Sequence, residues 1–362
     1  MNFSNLSDFG NFVITGVSGT RLSEVDKRLL ETTRPAGILF LKRNILQGVE
    51  YGKWHDEFSA LIEDILKYSG RKKMLLTIDH EGGQVQRAPS PITNFGTPEK
   101  YRKNAAEVAS AMALELKSMG INLSWAPSAD INTNPENPII GKLGRSFSSS
   151  PEEVSKACVE FAQAMQANGI LTCAKHFPGH GDTWSDSHLE LPVVDVNEET
   201  ALSRELLPFQ ALIDMKIPSI MTAHVLFKKI DPVNPATFSR KILTDILRNK
   251  MGYKGVIIAD DINMLAIFDK IRTVEGVALS INAGVDTYIV GRFPNPDSDE
   301  SPRTLCTLLQ EALVKGLVTS ENLATSSKRV DELLNQSEIY KANILEKEIF
   351  AKHKSLTDSL AA

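Results

Sequence analysis

Eight short apolar runs punctuate the chain: FVITGV (12–17), AGILFL (36–41), MLLTID (74–79), INLSWAP (121–127), LTCAKH (171–176), PSIMTAH (218–224), GVIIAD (255–260) and DTYIVG (286–291). Most are apolar throughout and do not alternate with polar residues. That is the pattern of a strand buried on both faces in a parallel sheet. The stretches between them carry helical spacing. NAAEVASAMALELKSMG (104–120) and PEEVSKACVEFAQAMQANG (151–169) each end on a glycine suited to a helix terminus, and the second opens with Pro and two glutamates. SRKILTDILRNKMG (239–252) repeats the pattern, with Ser239 as a candidate N-cap. Eight strands alternating with helices predict a single-domain α/β fold, a (β/α)8 TIM barrel over residues 1–340, followed by a charged helical tail at 341–362. An open doubly wound sheet is the rival. GVSGTRLSE after the first strand is a poor match to its glycine-rich phosphate turn.

Composition narrows the class. The 362 residues are 42% hydrophobic and 23% charged, ordinary for a globular protein large enough for one big core. A net charge of −5 gives no reason to expect nucleic acid or an anionic membrane as a partner. Cys158, Cys173 and Cys306 are odd in number and far apart, which predicts buried thiols in a reducing compartment. The opening MNFSNLSDFGNF has no basic segment followed by an apolar one, and the apolar runs are too short to span a bilayer. The expected location is the cytoplasm.

Active sites of such barrels lie at the C-terminal ends of the strands. Five of the seven histidines fall there: His80, His176, His180, His188 and His224. So do Asp79, Glu81, Asp130, Asp186, Asp260 and Asp261, with Arg87 and Arg145 on the loops after the third and fourth strands. This asymmetry points to an enzyme. GVIIADD sets Asp260 at the end of a rigid strand, where a nucleophile would be held in place; alternatively, one aspartate caps the next helix and the other is solvated. In KHFPGHGDTWSDSHLELP (175–192), prolines and glycines dictate a loop. Asp186 lies two residues before His188, close enough to fix its tautomer and stabilise its protonated form, which makes a general acid near neutrality. The alternative is a surface loop whose histidines bond to backbone. Asp79 in TIDHEGGQVQR (77–87) suits two sugar hydroxyls with Arg87 beside it, or an ion pair that only shapes the loop. Trp184 is bulky for a mobile loop and either covers a bound ligand or packs against the barrel rim, and the second is expected.

Together these segments resemble the family 3 glycoside hydrolases, and more narrowly their bacterial β-N-acetylglucosaminidases. The match runs in order through AGILFLKRNI (36–45), IDHEGGQVQR (78–87), NTNPENPIIG (132–141), RSFS (145–148), KHFPGHGD (175–182), DSHLELP (186–192), MTAHV (221–225) and GVIIADDINM (255–264). The resemblance implies Asp260 as nucleophile, His188 as acid/base and Asp186 as the aspartate that orients it. It implies Asp79, Arg87, Arg145, Lys175 and His176 as sugar-binding residues, with no metal and no cofactor. Two features depart from the family pattern. IIGKLGRSF has two extra residues before Arg145, and Ala259 stands where Ser or Thr usually precedes the nucleophile.

The implied reaction is retaining hydrolysis through a covalent glycosyl-enzyme, with histidine in place of the usual second carboxylate. The implied substrate is a small carbohydrate or muropeptide, N-acetylglucosamine linked β-1,4 to 1,6-anhydro-N-acetylmuramic acid with or without peptide, as in peptidoglycan recycling. A neutral base repels anions less than a carboxylate does, so phosphorolysis is the alternative on the same scaffold. Two rivals come from other classes: a metal-dependent hydrolase using His176, His180, Asp182 and His188, and a sugar-binding protein without catalysis.

Overall fold

The computed structural model describes residues 3–291, 298 and 300–360. At its centre eight parallel strands close on themselves: β1 Val13–Thr15, β2 Gly37–Phe40, β3 Leu75–Ile78, β4 Leu123–Ser124, β5 Leu171–Phe177, β6 Ser219–Thr222, β7 Val256–Ala259 and β8 Thr287–Val290. Each pairs with its neighbours in chain order, and β8 returns to β1 from Val13↔Tyr288 to Thr15↔Val290. Closure rules out the open sheet. Seven strands lie within their apolar runs and are shorter, while β5 fills its run and continues one residue past it, to Phe177. β4, for example, stops before Ala126–Pro127, where proline has no N–H for the ladder.

Helices α1 Glu24–Thr33, α2 Tyr51–Ser69, α3 Ala105–Ser118, α4 Pro151–Ala167, α5 Leu207–Asp214, α6 Lys241–Lys250 and α7 Val274–Ala283 link successive strands, α6 being wound as a π-helix. Gly120 and Gly169 follow α3 and α4 at φ of +84° and +90°, a turn that a Cβ would strain. The Ser150 hydroxyl caps α4 by accepting from the Glu153 N–H, and the Ser239 hydroxyl accepts from the Ile242 N–H at the start of α6.

Side chains alternate along each strand between two cores. Ile14, Leu39, Leu75, Leu123, Leu171, Cys173, Met221, Val256, Ile258 and Ile289 fill the barrel interior. Ile38, Phe40, Leu76, Ile78, Ile257 and Ala259 pack outward against the helices. After β8 come α8 Glu300–Val314, α9 Ser320–Gln336 and α10 Lys347–Leu360. α9 contributes Val330, Leu333 and Leu334 to the interior core. α10 lies against the barrel wall: His353 Nδ1 donates to the buried Glu115 at 2.7 Å, and Phe350 packs edge-on to Tyr51. Residues 361 and 362 of the tail lie outside the described residues.

Leu333 is 2% exposed, so truncating it leaves a cavity in the interior core. Leu333→Ala is expected to cost about 2–5 kcal/mol, read as a lower thermal midpoint. An unchanged midpoint would show that α9 does not contribute to the interior.

Candidate active site

The two-residue period that fills the interior also positions the chemistry. Counting on by twos from Leu75 on β3 reaches Asp79, from Cys173 on β5 reaches Lys175, and from Ile258 on β7 reaches Asp260. All three follow the last apolar layer at the C-terminal mouth of the barrel.

Around the first two, charges interlock. Lys175 Nζ lies 3.1 Å from Asp79 Oδ1 and 2.6 Å from Glu81 Oε1. Arg145 grips Glu81 with both arms, Nε at 2.8 Å and Nη2 at 2.7 Å. Arg87 Nη2 reaches Asp79 Oδ2 at 3.2 Å. Burial raises both carboxyl pKa values, but the neighbouring cations more than offset it. Arg145 and Lys175 pull Glu81 far below the ordinary carboxylate range, and Lys175 and Arg87 bring Asp79 below it. The two extra residues before Arg145 are absorbed in tight turns, with the Gly144 N–H on the Gly141 carbonyl and the Arg145 N–H on that of Ile140. Arg145 thus joins the same cluster as Asp79, Arg87 and Lys175.

His176 completes the cluster, with Nε2 3.5 Å from Arg145 Nη2. Its Nδ1–H donates to Asp130 Oδ2 at 2.6 Å, and Asp130 also accepts the backbone N–H groups of His176 and His180. His180 is neutral: burial first, then the nearby His176, push its pKa down to about 4. Its Nδ1 bonds to Thr183 Oγ1 at 2.8 Å and its Nε2 to Ser187 Oγ at 3.1 Å.

The two aspartates after β7 differ. Asp261 Oδ1 accepts from the Asn263 N–H, Asn263 Nδ2 and the Gly291 N–H, so it shapes the loop. Burial lifts its pKa to about 6. Asp260 Oδ1 accepts only the Asp261 N–H, at 2.7 Å, and its other oxygen has no partner among the described residues. Burial raises the Asp260 pKa, but His176, His224, the Asp261 N–H and Lys175 outweigh it, leaving the carboxyl below its ordinary value. Asp260 is therefore ionised and open.

Asp186 and His188 form their pair: His188 Nδ1–H donates to Asp186 Oδ1 at 2.7 Å, and the imidazole is 64% exposed. The loop carrying them rests on the segment after β7, with the Ala266 N–H on the Ser187 carbonyl at 3.3 Å. His224 neighbours Asp260, and its Nε2 lies 3.3 Å from the Asp261 carbonyl oxygen. Trp184 does not pack against the rim as expected. It is 76% exposed, because the loop is held at Thr183 and Ser187 and bulges between them.

The four candidate metal ligands do not converge. His176 is bound to Asp130, His180 uses both nitrogens within the loop, Asp182 pairs with Arg204, and His188 pairs with Asp186. Glu81, Asp130 and His224 stood at strand ends in the sequence but without a role. The structure places Glu81 and Asp130 beneath the sugar-binding candidates and His224 beside Asp260.

A family model for the glycosyl hydrolase family 3 N-terminal domain matches residues 13–333. The β-hexosaminidase A of Pseudoalteromonas piscicida is 36% identical over 282 residues, covering 72% of this chain and 47% of that protein. The β-hexosaminidase of Methylococcus capsulatus is 35% identical over 284 residues, covering 76% of this chain and 81% of that protein. The chain thus spans about half the length of the first relative and about four fifths of the second. Among solved structures, a family 3 β-N-acetylglucosaminidase from Paenibacillus sp. superposes with a TM-score of 0.86 at 28% identity, over 99% of this chain and 68% of that one. NagZ from Neisseria gonorrhoeae, in complex with N-trifluoroacetyl-D-glucosamine, gives a TM-score of 0.75 at 26% identity, over 97% and 98% of the two chains. The chain belongs to glycoside hydrolase family 3. It is a glycoside hydrolase of the NagZ-like β-hexosaminidase type.

His80, between Asp79 and Glu81, is fully buried, and neither ring nitrogen has a partner among the described residues. Burial drives its pKa down to about 4. Such an imidazole stabilises the fold fully above the unfolded value of about 6.5. As pH falls toward 4, the unfolded chain binds a proton that the fold refuses, and this stability is lost. Wild type should therefore lose more stability than His80→Phe between pH 7 and 4.5, by roughly 2 kcal/mol, with other groups cancelling in the comparison. Parallel melting curves for the two proteins would contradict it.

Proposed function

We propose that the chain is a retaining β-N-acetylglucosaminidase that removes terminal β-linked N-acetylglucosamine through a covalent intermediate on Asp260. The single observation that carries this is the ionised, one-sided Asp260 at the barrel mouth. The loop carrying the Asp186–His188 pair is held to the segment that follows Asp260 through Ser187 and Ala266, and His176 and Lys175 are near enough to lower the Asp260 pKa.

In this mechanism the terminal sugar lies against Asp79, Arg87, Arg145, Lys175 and His176. Asp79 is ionised and keeps acceptor capacity for hydroxyls, while the cations donate. Asp260 attacks the anomeric carbon as His188, protonated on Nε2, donates to the leaving oxygen. Asp186 holds Nδ1–H and stabilises the imidazolium. In the second step neutral His188 Nε2 takes the proton of the incoming water, which displaces Asp260 and restores the β configuration.

The resemblance of KHFPGHGD and DSHLELP to the family's bacterial β-N-acetylglucosaminidases implies a muropeptide substrate, N-acetylglucosamine on 1,6-anhydro-N-acetylmuramic acid, and a place in cytoplasmic peptidoglycan recycling. No described helix is long and apolar enough to cross a membrane.

The test is release of the aryl group from an aryl β-N-acetylglucosaminide, with the matching β-glucoside alongside. The acetamido sugar should be the one turned over, with free N-acetylglucosamine as product even when phosphate is present. A sugar 1-phosphate would make the enzyme a phosphorylase, and preference for the plain glucoside would overturn the substrate. Asp260→Asn should abolish turnover, because both steps pass through the carboxylate. His188→Ala should lower kcat by about 10²–10⁴-fold, and more for poor leaving groups than for activated aryl groups. Equal losses across leaving groups would remove His188 from the acid role.

A further inference from the structure

Large apolar side chains are exposed on three adjacent loops of the barrel mouth: Trp184, Leu189 and Val193 after β5, Val233 after β6 and Leu265 after β7. The polar cluster draws on the adjoining arc, from the ends of β3 and β5 and the loop after β4, so that the two arcs meet at β5. The mouth is therefore divided, with charged groups for one sugar on one side and an apolar rim on the other.

The acid/base lies on the apolar side. Leu189 follows His188 directly and is 71% exposed. Leu265, 60% exposed, precedes Ala266, whose N–H holds the Ser187 carbonyl. Trp184 lies within a bulge closed at both ends by one imidazole, since His180 bonds to Thr183 at 2.8 Å and to Ser187 at 3.1 Å. Thr183 is further fixed by Asn137 Nδ2 at 2.9 Å. The tryptophan's exposure thus comes from a pinned loop and not from a frayed one. A general acid must touch the glycosidic oxygen, so the leaving group has to lie against whatever flanks His188.

We propose that Trp184, with Leu189 and Leu265, forms the leaving-group subsite and stacks on the apolar face of the second sugar ring. Trp184 is then a specificity-determining residue. This rests on the reading of His188 as the acid/base. An indole offers a large apolar face with a polar edge, which suits a pyranose whose hydroxyls stay in water.

The experiment compares two substrates with the same terminal sugar: N,N′-diacetylchitobiose, whose leaving group is a sugar ring, and N-acetyl-β-glucosaminyl fluoride, whose leaving group has no ring. Trp184→Ala should lower kcat/KM for the disaccharide by about 3- to 10-fold, the worth of one aromatic contact, and leave the fluoride unchanged. Trp184→Phe, which keeps a ring, should recover most of the loss. Equal losses on both substrates would mean that the tryptophan only holds the loop, and no loss on either would mean that the rim serves another partner, such as a second copy of the chain; both overturn the proposal. Wild type that turns over neither substrate would instead strike at the proposed function itself.

Discussion

The site is organised around one carboxylate that has almost no contact with water. Glu81 is 1% exposed and is held by Lys175 and by both arms of Arg145. An ionised group so deeply buried is tolerated only when its partners are fixed. Removing Lys175 or Arg145 would leave Glu81 with a single cation inside the barrel mouth. The constraint runs both ways, because Glu81 holds Lys175 where it also meets Asp79, and holds Arg145 near His176. The ends of β3 and β5 and the loop after β4 are locked into one polar surface, the preorganisation that the proposed transition-state stabilisation needs.

A second buried carboxylate does the same for the catalytic loop. Asp130 accepts the His176 side chain and two backbone N–H groups, one of them from His180. His180 in turn holds Thr183 and Ser187, so the loop is fastened at points between which Trp184 and Asp186 project. His188 is left exposed one residue past the last anchor. The proposed sugar-binding positions are buried or half-buried, whereas the proposed acid/base, which would exchange protons with the leaving group and with water, is exposed.

Much of this was legible in the chain, for a physical reason. A strand buried on both faces reads as an unbroken apolar run, so all eight strands stand out. The titratable residues at the ends of those runs mark the mouth, which brings Asp79, His176 and Asp260 into view, while Lys175 is marked only by the family resemblance. What stayed hidden depends on long-range pairing. Glu81 meets Arg145 across 64 residues, and Asp130 meets His176 across 46. Neither partner is visible locally, although both acids stood at strand ends. The docking of α10 through His353 onto Glu115 spans 238 residues and leaves no local signal at all. Trp184 was expected to pack because tryptophan usually does; its exposure follows from hydrogen bonds on either side that composition does not reveal.

Asp260 and Asp261 are adjacent carboxylates, and the account rests on the first being the nucleophile. The direct measurement is to trap the glycosyl-enzyme with a fluorinated N-acetylglucosaminyl donor that slows the second step, then map the adduct by peptide mass spectrometry. The account predicts one sugar on the Asp260 side chain, with loss of activity in proportion to labelling. A label on Asp261, or steady turnover of the donor with no covalent adduct, would contradict it.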